Sequence, residues 1–404
     1  MSIVSRIAHS KSTGIAHHRS RWWNELPLDF HARTEVFDLA LRDRVQVGMT
    51  AIGDIFTRTM AAAMVGATAL PLGFTRGRLK TLEAEGEFYG GFADRRAREE
   101  FFTPPESRHT IVRSKALTPH FPPTRGRCED LRFESTYRPK LGGFAQEHAD
   151  NTRNQTAHAR HWFHDDGPRP TIVAIHGFSA DFYRLNEWFF ALPLLYELGC
   201  DVLLFTLPHH GPRRGTRSPF SGHGFFSGGI SGINEAMGQA VHDFRVFFEH
   251  LQHDRGVKTI GVTGVSLGGY ASALLAGVEP RLAFAIPNVP LISIIDLALE
   301  WRPAGDMVRA LMLMNGLTLP QLRRYLAVSS PLTYAPMLRK EHLFIIGGVG
   351  DRLASPQHSH ELWEHWDRPD IYWFPGSHFL HFDRGRYLQE IAKFLGSLVI
   401  TPKK

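Results

Sequence analysis

The second half of the chain alternates short apolar runs with longer amphipathic segments, and this rhythm constrains the fold most strongly. Apolar runs typical of strands occupy residues 171–175, 201–207, 259–265, 282–286, 343–347 and 371–374. Segments with helical periodicity lie between or after them, at 183–198, 233–250, 270–277, 357–366 and 387–398. Such alternation predicts a mostly parallel sheet with helices on both faces. We therefore predict an α/β fold for this part of the chain.

The first part of the chain is organised differently. Residues 30–47 and 52–65 have helical periodicity, and five prolines interrupt residues 103–127. Residues 131–137 and 157–164 read as strands on either side of a turn. We predict a largely helical N-terminal extension or cap over 1–125 and a second domain over 126–404. That domain divides into a core at 170–290 and 341–398 and a helical insertion at 291–340.

Charge and cysteine content exclude several classes of protein. The 46 basic and 40 acidic side chains give a net charge of +6, but no block of like charges occurs, so we expect no nucleic-acid partner. Cys128 and Cys200 are too few for a disulfide framework or a zinc site of the usual spacing, which favours a reducing compartment. Residues 1–20 lack the continuous apolar core of a secretory signal. We expect a cytoplasmic protein.

The longest apolar stretch, residues 60–70, is much shorter than the roughly 20 residues that span a bilayer. We therefore expect no transmembrane helix and favour a packed core helix. Peripheral contact of an amphipathic helix with a membrane surface stays open.

Ser266 stands at the centre of the strongest motif. Residues 264–269, Gly-Val-Ser-Leu-Gly-Gly, follow the apolar run at 259–265 and precede the helical segment at 270–277. A G-x-S-x-G sequence between strand and helix is typical of a nucleophile elbow, a sharp turn that presents the serine hydroxyl above the sheet. We predict Ser266 as a nucleophile.

A serine hydroxyl needs a neighbouring imidazole as base and an acid that orients the imidazole. His378 follows the last predicted strand directly and is favoured over His381, three residues further on. Asp351 follows the strand at 343–347 and reaches the same sheet edge. Asp296, after the preceding strand, is the alternative acid.

His176, Gly177 and Phe178 follow the strand at 171–175. The main-chain N–H groups of Phe178 and Leu267 could together bind a developing oxyanion. His176 is expected to brace the loop more than to do chemistry, although it is also a candidate substrate contact.

His210 and Arg213 follow the strand at 201–207 at the same sheet edge. Contact with a substrate carboxylate or phosphate and simple support of the loop are equally compatible with their position. His158, His161 and His164 have metal-like spacing only in a helix, so with strand alternation we expect an incidental cluster. No Gly-rich phosphate loop occurs where a nucleotide would need one. We predict neither a metal nor a cofactor.

From about residue 170 to 398 these motifs resemble the α/β-hydrolase superfamily, in particular its serine esterases and lipases. The resemblance is carried, in family order, by residues 176–178, 264–269, 350–351 and 376–378, with support from the Ser-Pro-Leu-Thr-Tyr-Ala segment at 330–335. It implies Ser266 as nucleophile, Asp351 as acid, His378 as base, Phe178 and Leu267 as oxyanion donors, and the insertion at 291–340 as a lid over a catalytic domain.

The expected activity is therefore cleavage of a carboxylic ester or thioester through an acyl-enzyme on Ser266, with a small-molecule or acyl-ester substrate. Peptidase or acyltransferase activity is an alternative within the same fold. A catalytically silent scaffold that binds a ligand or partner is a further alternative, which the intact set of motifs disfavours.

Overall fold

A single mixed sheet runs through the computed structural model, which describes residues 21–106, 109–117, 119–381 and 384–398. In this part of the chain the sheet has nine strands, in the order β1-β2-β3-β5-β4-β6-β7-β8-β9. The strands are β1 (Val112–Lys115), β2 (Gly126–Glu134), β3 (Thr156–His164), β4 (Thr171–Ile175), β5 (Asp201–Phe205), β6 (Ile260–Val265), β7 (Ala285–Asn288), β8 (Phe344–Gly348) and β9 (Asp370–Phe374). The six strands from β5 to β9 in this order are parallel, and β1, β2 and β3 are antiparallel additions. The predicted α/β fold is confirmed.

Helices cover both faces of the sheet. They are α1 (Trp22–Glu25), α2 (Leu41–Met64), α3 (Leu70–Gly73), α4 (Arg76–Arg95), α5 (Arg98–Phe101), α6 (Ala145–Asp150), α7 (Tyr183–Phe189), α8 (Leu192–Glu197), α9 (His223–Ser227), α10 (Gly229–Glu249), α11 (Leu267–Val278), α12 (Ile294–Glu300), α13 (Ala304–Asn315), α14 (Leu319–Tyr325), α15 (Pro356–His365) and α16 (Arg384–Ser397). The insertion predicted at 291–340 is helical, since it holds α12, α13 and α14.

The parallel strands are apolar along their whole length because both faces are buried. In β4, Val173 and Ile175 pack into one hydrophobic cluster with α10 and α11, whereas Ile172 and Ala174 pack into a second cluster with α8 and α16. Successive side chains of a strand point to opposite faces. This explains why the sequence shows continuous apolar runs instead of alternation.

The sheet begins earlier than the domain boundary at 125/126 suggests. Strand β1 lies within the region predicted as a helical extension, yet it pairs with β2 in a register that places Val112 opposite Arg132. Short helices, including α6, separate β2 from β3 where the sequence suggested a simple turn. An antiparallel edge strand of four exposed residues carries too little apolar pattern to be recognised.

The start of the described chain is tied to the insertion. Trp22 and Trp23 are buried, and the Trp22 Nε1–H donates to Thr333 Oγ1 at 3.0 Å. Arg323 of α14 donates to the carbonyl oxygens of Leu26 at 2.5 Å and Pro27 at 2.9 Å. Buried polar side chains thus hold the N-terminal segment in place.

The apolar region around residues 60–70 belongs to a longer helical run. Helix α2 continues through one wider turn at 65–69 into α3, so the run extends from Leu41 to Gly73, 33 residues. By length and composition alone it is able to cross a membrane, a test that core helices of soluble proteins also pass. The expectation of no such helix considered only 60–70 and was too narrow. Six of its exposed large apolar side chains recur every three or four residues and form an outer stripe, at Leu41, Val45, Met49, Ile52, Phe56 and Met60.

Substitution of Arg323 tests how much these buried polar contacts stabilise the protein. Its side chain is fully buried and pairs with Asp296 at 2.6 Å, whereas the adjacent Arg324 pairs with Asp94 and Glu87 at the surface. We expect Arg323→Met to lower the free energy of unfolding by about 3 kcal/mol or more, because the buried Asp296 carboxylate loses its partner. The matched Arg324→Met change should lower it by about 1 kcal/mol or less. Urea unfolding of the full chain measures both, and equal losses would contradict the prediction.

Candidate active site

Ser266 occupies a strained turn between β6 and α11. Its backbone angles are φ 57° and ψ −114°, a conformation that L-residues rarely adopt. The turn is tight, because a Cβ on Gly264 would lie 2.2 Å from the Gly268 carbonyl oxygen, and a Cβ on Gly268 would lie 2.0 Å from that of Ile175. The two glycines are therefore required sterically, as the elbow motif predicts. Ser266 stands at the carboxyl end of β6, beside the end of β4.

His378 and Asp351 form a buried pair at the same edge of the sheet. His378 Nδ1 and Asp351 Oδ2 are 2.7 Å apart, and both side chains are almost completely buried. Asp351 Oδ1 accepts the main-chain N–H groups of Leu353 and Ala354, which fix the carboxylate. Burial acts to lower the pKa of His378, but the charge and hydrogen bond of Asp351 outweigh it, so the pKa is raised above 6.5.

Asp296, the alternative acid, is engaged elsewhere. Its carboxylate makes two hydrogen bonds with Arg323, at 2.6 and 2.9 Å, and accepts the Ser293 hydroxyl at 2.5 Å. Asp351, and not Asp296, is therefore the acid that meets His378 in this structure.

His381, the alternative base, contacts the main chain of His378. Its Nε2 is 3.3 Å from the His378 carbonyl oxygen, and its ring packs against Phe374 and Phe189. Burial lowers the pKa of His381 to about 3. These contacts describe a structural histidine.

The two candidate oxyanion donors flank the elbow. A Cβ on Gly177 would lie 3.5 Å from Ser266 Cβ, so the loop that carries Phe178 packs directly against the serine. Leu267 is the first residue of α11, where main-chain N–H groups have no partner within the helix. Among the residues that the structure describes, neither the Phe178 N–H nor the Leu267 N–H donates to another protein group. Both remain available for a ligand.

His176 is a brace between two loops. Its Nδ1 bonds to the Gly177 carbonyl oxygen at 2.8 Å, and its Nε2 accepts the Leu207 N–H at 3.1 Å. Burial lowers its pKa, which favours the neutral ring that this bonding needs. Both nitrogens are occupied, so the bracing role describes it better than substrate contact.

Arg213 and His210 are also buried. Arg213 pairs with Asp243 at 2.6 Å and donates to the carbonyl oxygens of Thr206 and Asn154, so its guanidinium is engaged within the protein. His210 is completely buried, with Nδ1 bonded to the Pro208 carbonyl oxygen and its ring against Phe178. Burial lowers the pKa of His210 to about 3. Support of the loop is the alternative that these contacts favour for both.

The three histidines at 158, 161 and 164 lie on β3, where a spacing of three alternates between faces. His164 bonds to Asp201, and His161 is buried with its ring against Phe163. Within the described ranges, no group of three or more His, Cys, Asp or Glu side chains is arranged to hold a metal ion.

A second carboxylate, which no motif marks, lies beside the Asp351–His378 pair. Asp54 of α2 is 1% exposed and accepts the main-chain N–H of His378, 324 residues away in the sequence. Only its position as the one acid in the helical stretch at 52–65 could have drawn attention to it.

A strained serine elbow and a buried Asp–His pair, all at the carboxyl ends of parallel strands, define the class of α/β hydrolases. The sequence model of the alpha/beta hydrolase family matches residues 172–390. The chain belongs to this family.

Among curated proteins, the chain is 31% identical over 263 residues to uncharacterized proteins from two strains of Mycobacterium tuberculosis, and the match covers 61% of this chain and 58% of theirs. Among solved structures it is similar to an acetyl xylan esterase from a Paenibacillus species, with a TM-score of 0.52, 14% identity, and coverage of 76% of this chain and 93% of that one. An acetyl xylan esterase from a Thermoanaerobacterium species matches with a TM-score of 0.49, 16% identity, and coverage of 79% and 94%. The likeness to the Paenibacillus enzyme shows the fold.

The Asp351–His378 pair predicts the titration of one histidine. We expect the His378 imidazole to titrate above pH 6.5, and Asp351→Asn to lower that pKa, because the neutral amide no longer stabilises the imidazolium. Imidazole ¹⁵N NMR titration measures this, with the signal assigned by its loss in His378→Gln. An unchanged His378 pKa in Asp351→Asn would show that the pair does not form in solution.

Proposed function

We propose that this protein is a serine hydrolase that cleaves a carboxylic ester, or a thioester, through an acyl-enzyme on Ser266. The observation that carries the proposal is the strained Ser266 turn at the same sheet edge as the hydrogen-bonded Asp351–His378 pair. Family membership supports a hydrolase, and the similarly folded acetyl xylan esterase from Paenibacillus is the reason to propose an ester first.

In the proposed mechanism, His378 accepts the Ser266 proton at Nε2 while Nδ1–H stays bonded to Asp351. Ser266 Oγ attacks the ester carbonyl carbon, and the carbonyl π-bond opens to an oxyanion. The N–H groups of Phe178 and Leu267 bind that oxyanion, an interaction usually worth a few kcal/mol in the transition state. His378 then protonates the departing alcohol or thiol, and the acyl group remains on Ser266.

Deacylation repeats these steps with water. His378 removes a proton from the attacking water, the tetrahedral intermediate collapses, and Ser266 Oγ leaves with the proton from His378. Asp351 stabilises the imidazolium in both halves. The raised pKa of His378 implies that activity falls as the pH drops through that value, because a protonated ring cannot act as base.

An acyl acceptor other than water would make the same site an acyltransferase, and an amide substrate would make it a peptidase. Chain-length profiling with p-nitrophenyl esters, thioesters and peptide amides separates these activities. Peripheral membrane contact and a cytoplasmic location stay predictions.

Labelling with a fluorophosphonate tests the nucleophile. We expect a single covalent adduct that peptide mass mapping places on Ser266, and we expect Ser266→Ala to lose both the adduct and p-nitrophenyl ester cleavage. Ser218→Ala, a change outside the site, should keep both. A folded wild-type protein that forms no adduct on Ser266 would remove the proposal.

The acid is tested by a matched pair of substitutions. We expect Asp351→Asn to lower kcat by roughly 10⁴-fold, because the amide no longer stabilises the imidazolium or its orientation. Asp296→Asn should keep kcat in the folded protein and lower the melting temperature, since Asp296 neutralises buried Arg323. Steady-state kinetics and thermal unfolding on the same preparations measure both. The reverse pattern would make Asp296 the acid.

A further inference from the structure

A carboxylate from α2 is buried against the two loops that carry Asp351 and His378. Asp54 Oδ2 accepts the main-chain N–H of His378 at 2.8 Å and that of Arg352 at 3.1 Å. One oxygen atom thus links the proposed base to the residue that follows the proposed acid. The contact comes from the part of the chain for which the sequence offers no motif.

Two more residues on the same face of α2 contact these loops. Arg58 Nη1 donates to the Arg352 carbonyl oxygen at 3.0 Å. Val47 lies against Gly350, where an added Cβ would come within 2.8 Å of Val47 Cγ1. Positions 47, 54 and 58 are separated by seven and four residues, which places them on one side of a helix. The loops that carry Asp351 and His378 therefore pack against a continuous face of α2.

The charge of Asp54 acts on His378. Burial and the neighbouring charge of Asp351 raise the pKa of Asp54 above 3.8, while the two main-chain donors act in the opposite direction and favour its ionised form. Asp54 also contributes to the raised pKa of His378, after Asp351. Among the described residues, His381 on the same loop also contacts His378, through the main-chain carbonyl oxygen, and Arg58 reaches this region from α2.

We propose that Asp54 is a positioning residue of the hydrolytic site: it holds the Asp351 and His378 loops at a fixed separation and adds a second negative charge beside the imidazolium. This inference rests on the proposed function. It gives the N-terminal region a part in the reaction, since the geometry of the base depends on a side chain from α2.

Two substitutions separate the effect of the hydrogen bonds of Asp54 from the effect of its charge. Asp54→Asn keeps an oxygen that can accept the N–H groups and removes the charge, whereas Asp54→Ala removes both. Asp43→Asn is the charge-matched control, because Asp43 is on the same helix and, within the described residues, makes no hydrogen bond or ion pair with either loop. Full-length variants are compared by circular dichroism, by kcat and KM for a p-nitrophenyl ester, by the pH profile of kcat, and by the NMR titration of His378.

We expect Asp54→Ala to lower kcat by roughly tenfold to a hundredfold with a smaller change in KM, because displacement of a reacting group by about 1 Å has effects of this size. Asp54→Asn should keep a larger fraction of the wild-type kcat than Asp54→Ala does. The acidic limb of its pH profile of kcat should move to lower pH, since loss of a negative charge lowers the pKa of His378. Asp43→Asn should match the wild type. If Asp54→Ala does not fold, the pH profile of Asp54→Asn decides.

Folded Asp54→Asn and Asp54→Ala with wild-type kcat and an unshifted acidic limb would overturn the inference while leaving the proposed function intact. If the wild type cleaves no ester and Ser266 takes no fluorophosphonate, the proposed function fails by itself. The NMR titration then decides the role of Asp54: a lower His378 pKa in Asp54→Asn supports the contact, and an unchanged pKa overturns it.

Discussion

The close approach of β4, β6 and α11 around Ser266 is the constraint on which the rest of the structure depends. The helix can leave β6 at this angle only because Gly264 and Gly268 carry no side chain, and Gly268 lies against the carbonyl oxygen of Ile175. A strained residue persists only where its surroundings determine its conformation. Here α11 is buried along its whole length, which supplies that support. The loops after β8 and β9 bring Asp351 and His378 together at the same edge of the sheet.

Local patterns carried enough information to predict the parallel strands, the elbow, and the positions of Ser266, Asp351 and His378 directly after strands at one edge of the sheet. Each of these is encoded within a few residues, by an apolar run followed by glycine and a polar side chain. Antiparallel strand β1 and the placement of α2 were not predictable in this way. They depend on pairing between segments far apart in the sequence, such as Asp54 with His378, and one sequence contains no signal for that pairing.

Two residues that the sequence offered as site candidates are members of buried ion pairs instead. Asp296 pairs with Arg323, and Arg213 pairs with Asp243, all with fully buried side chains. A charged residue within an apolar segment is either functional or paired, because an isolated buried charge is strongly unfavourable. The sequence shows the apolar surroundings but not the partner, so both interpretations remain until the fold brings the partner into place.

In the turns beside the site, helix α2 buries a charged side chain and exposes apolar ones, which is the opposite of an ordinary surface helix. A surface helix normally buries its apolar stripe, yet here Asp54 is buried while Met49, Ile52 and Phe56 are exposed. Hydrophobic burial alone therefore does not determine how this part of α2 is rotated against the loops that carry Asp351 and His378. Since each residue turns a helix by about 100°, a slip of one position would move Asp54 away from both loops and leave a buried carboxylate without donors. The hydrogen bonds of Asp54 to His378 and Arg352, together with the contacts of Arg58 and Val47 on the same face, consequently specify the register of this part of α2.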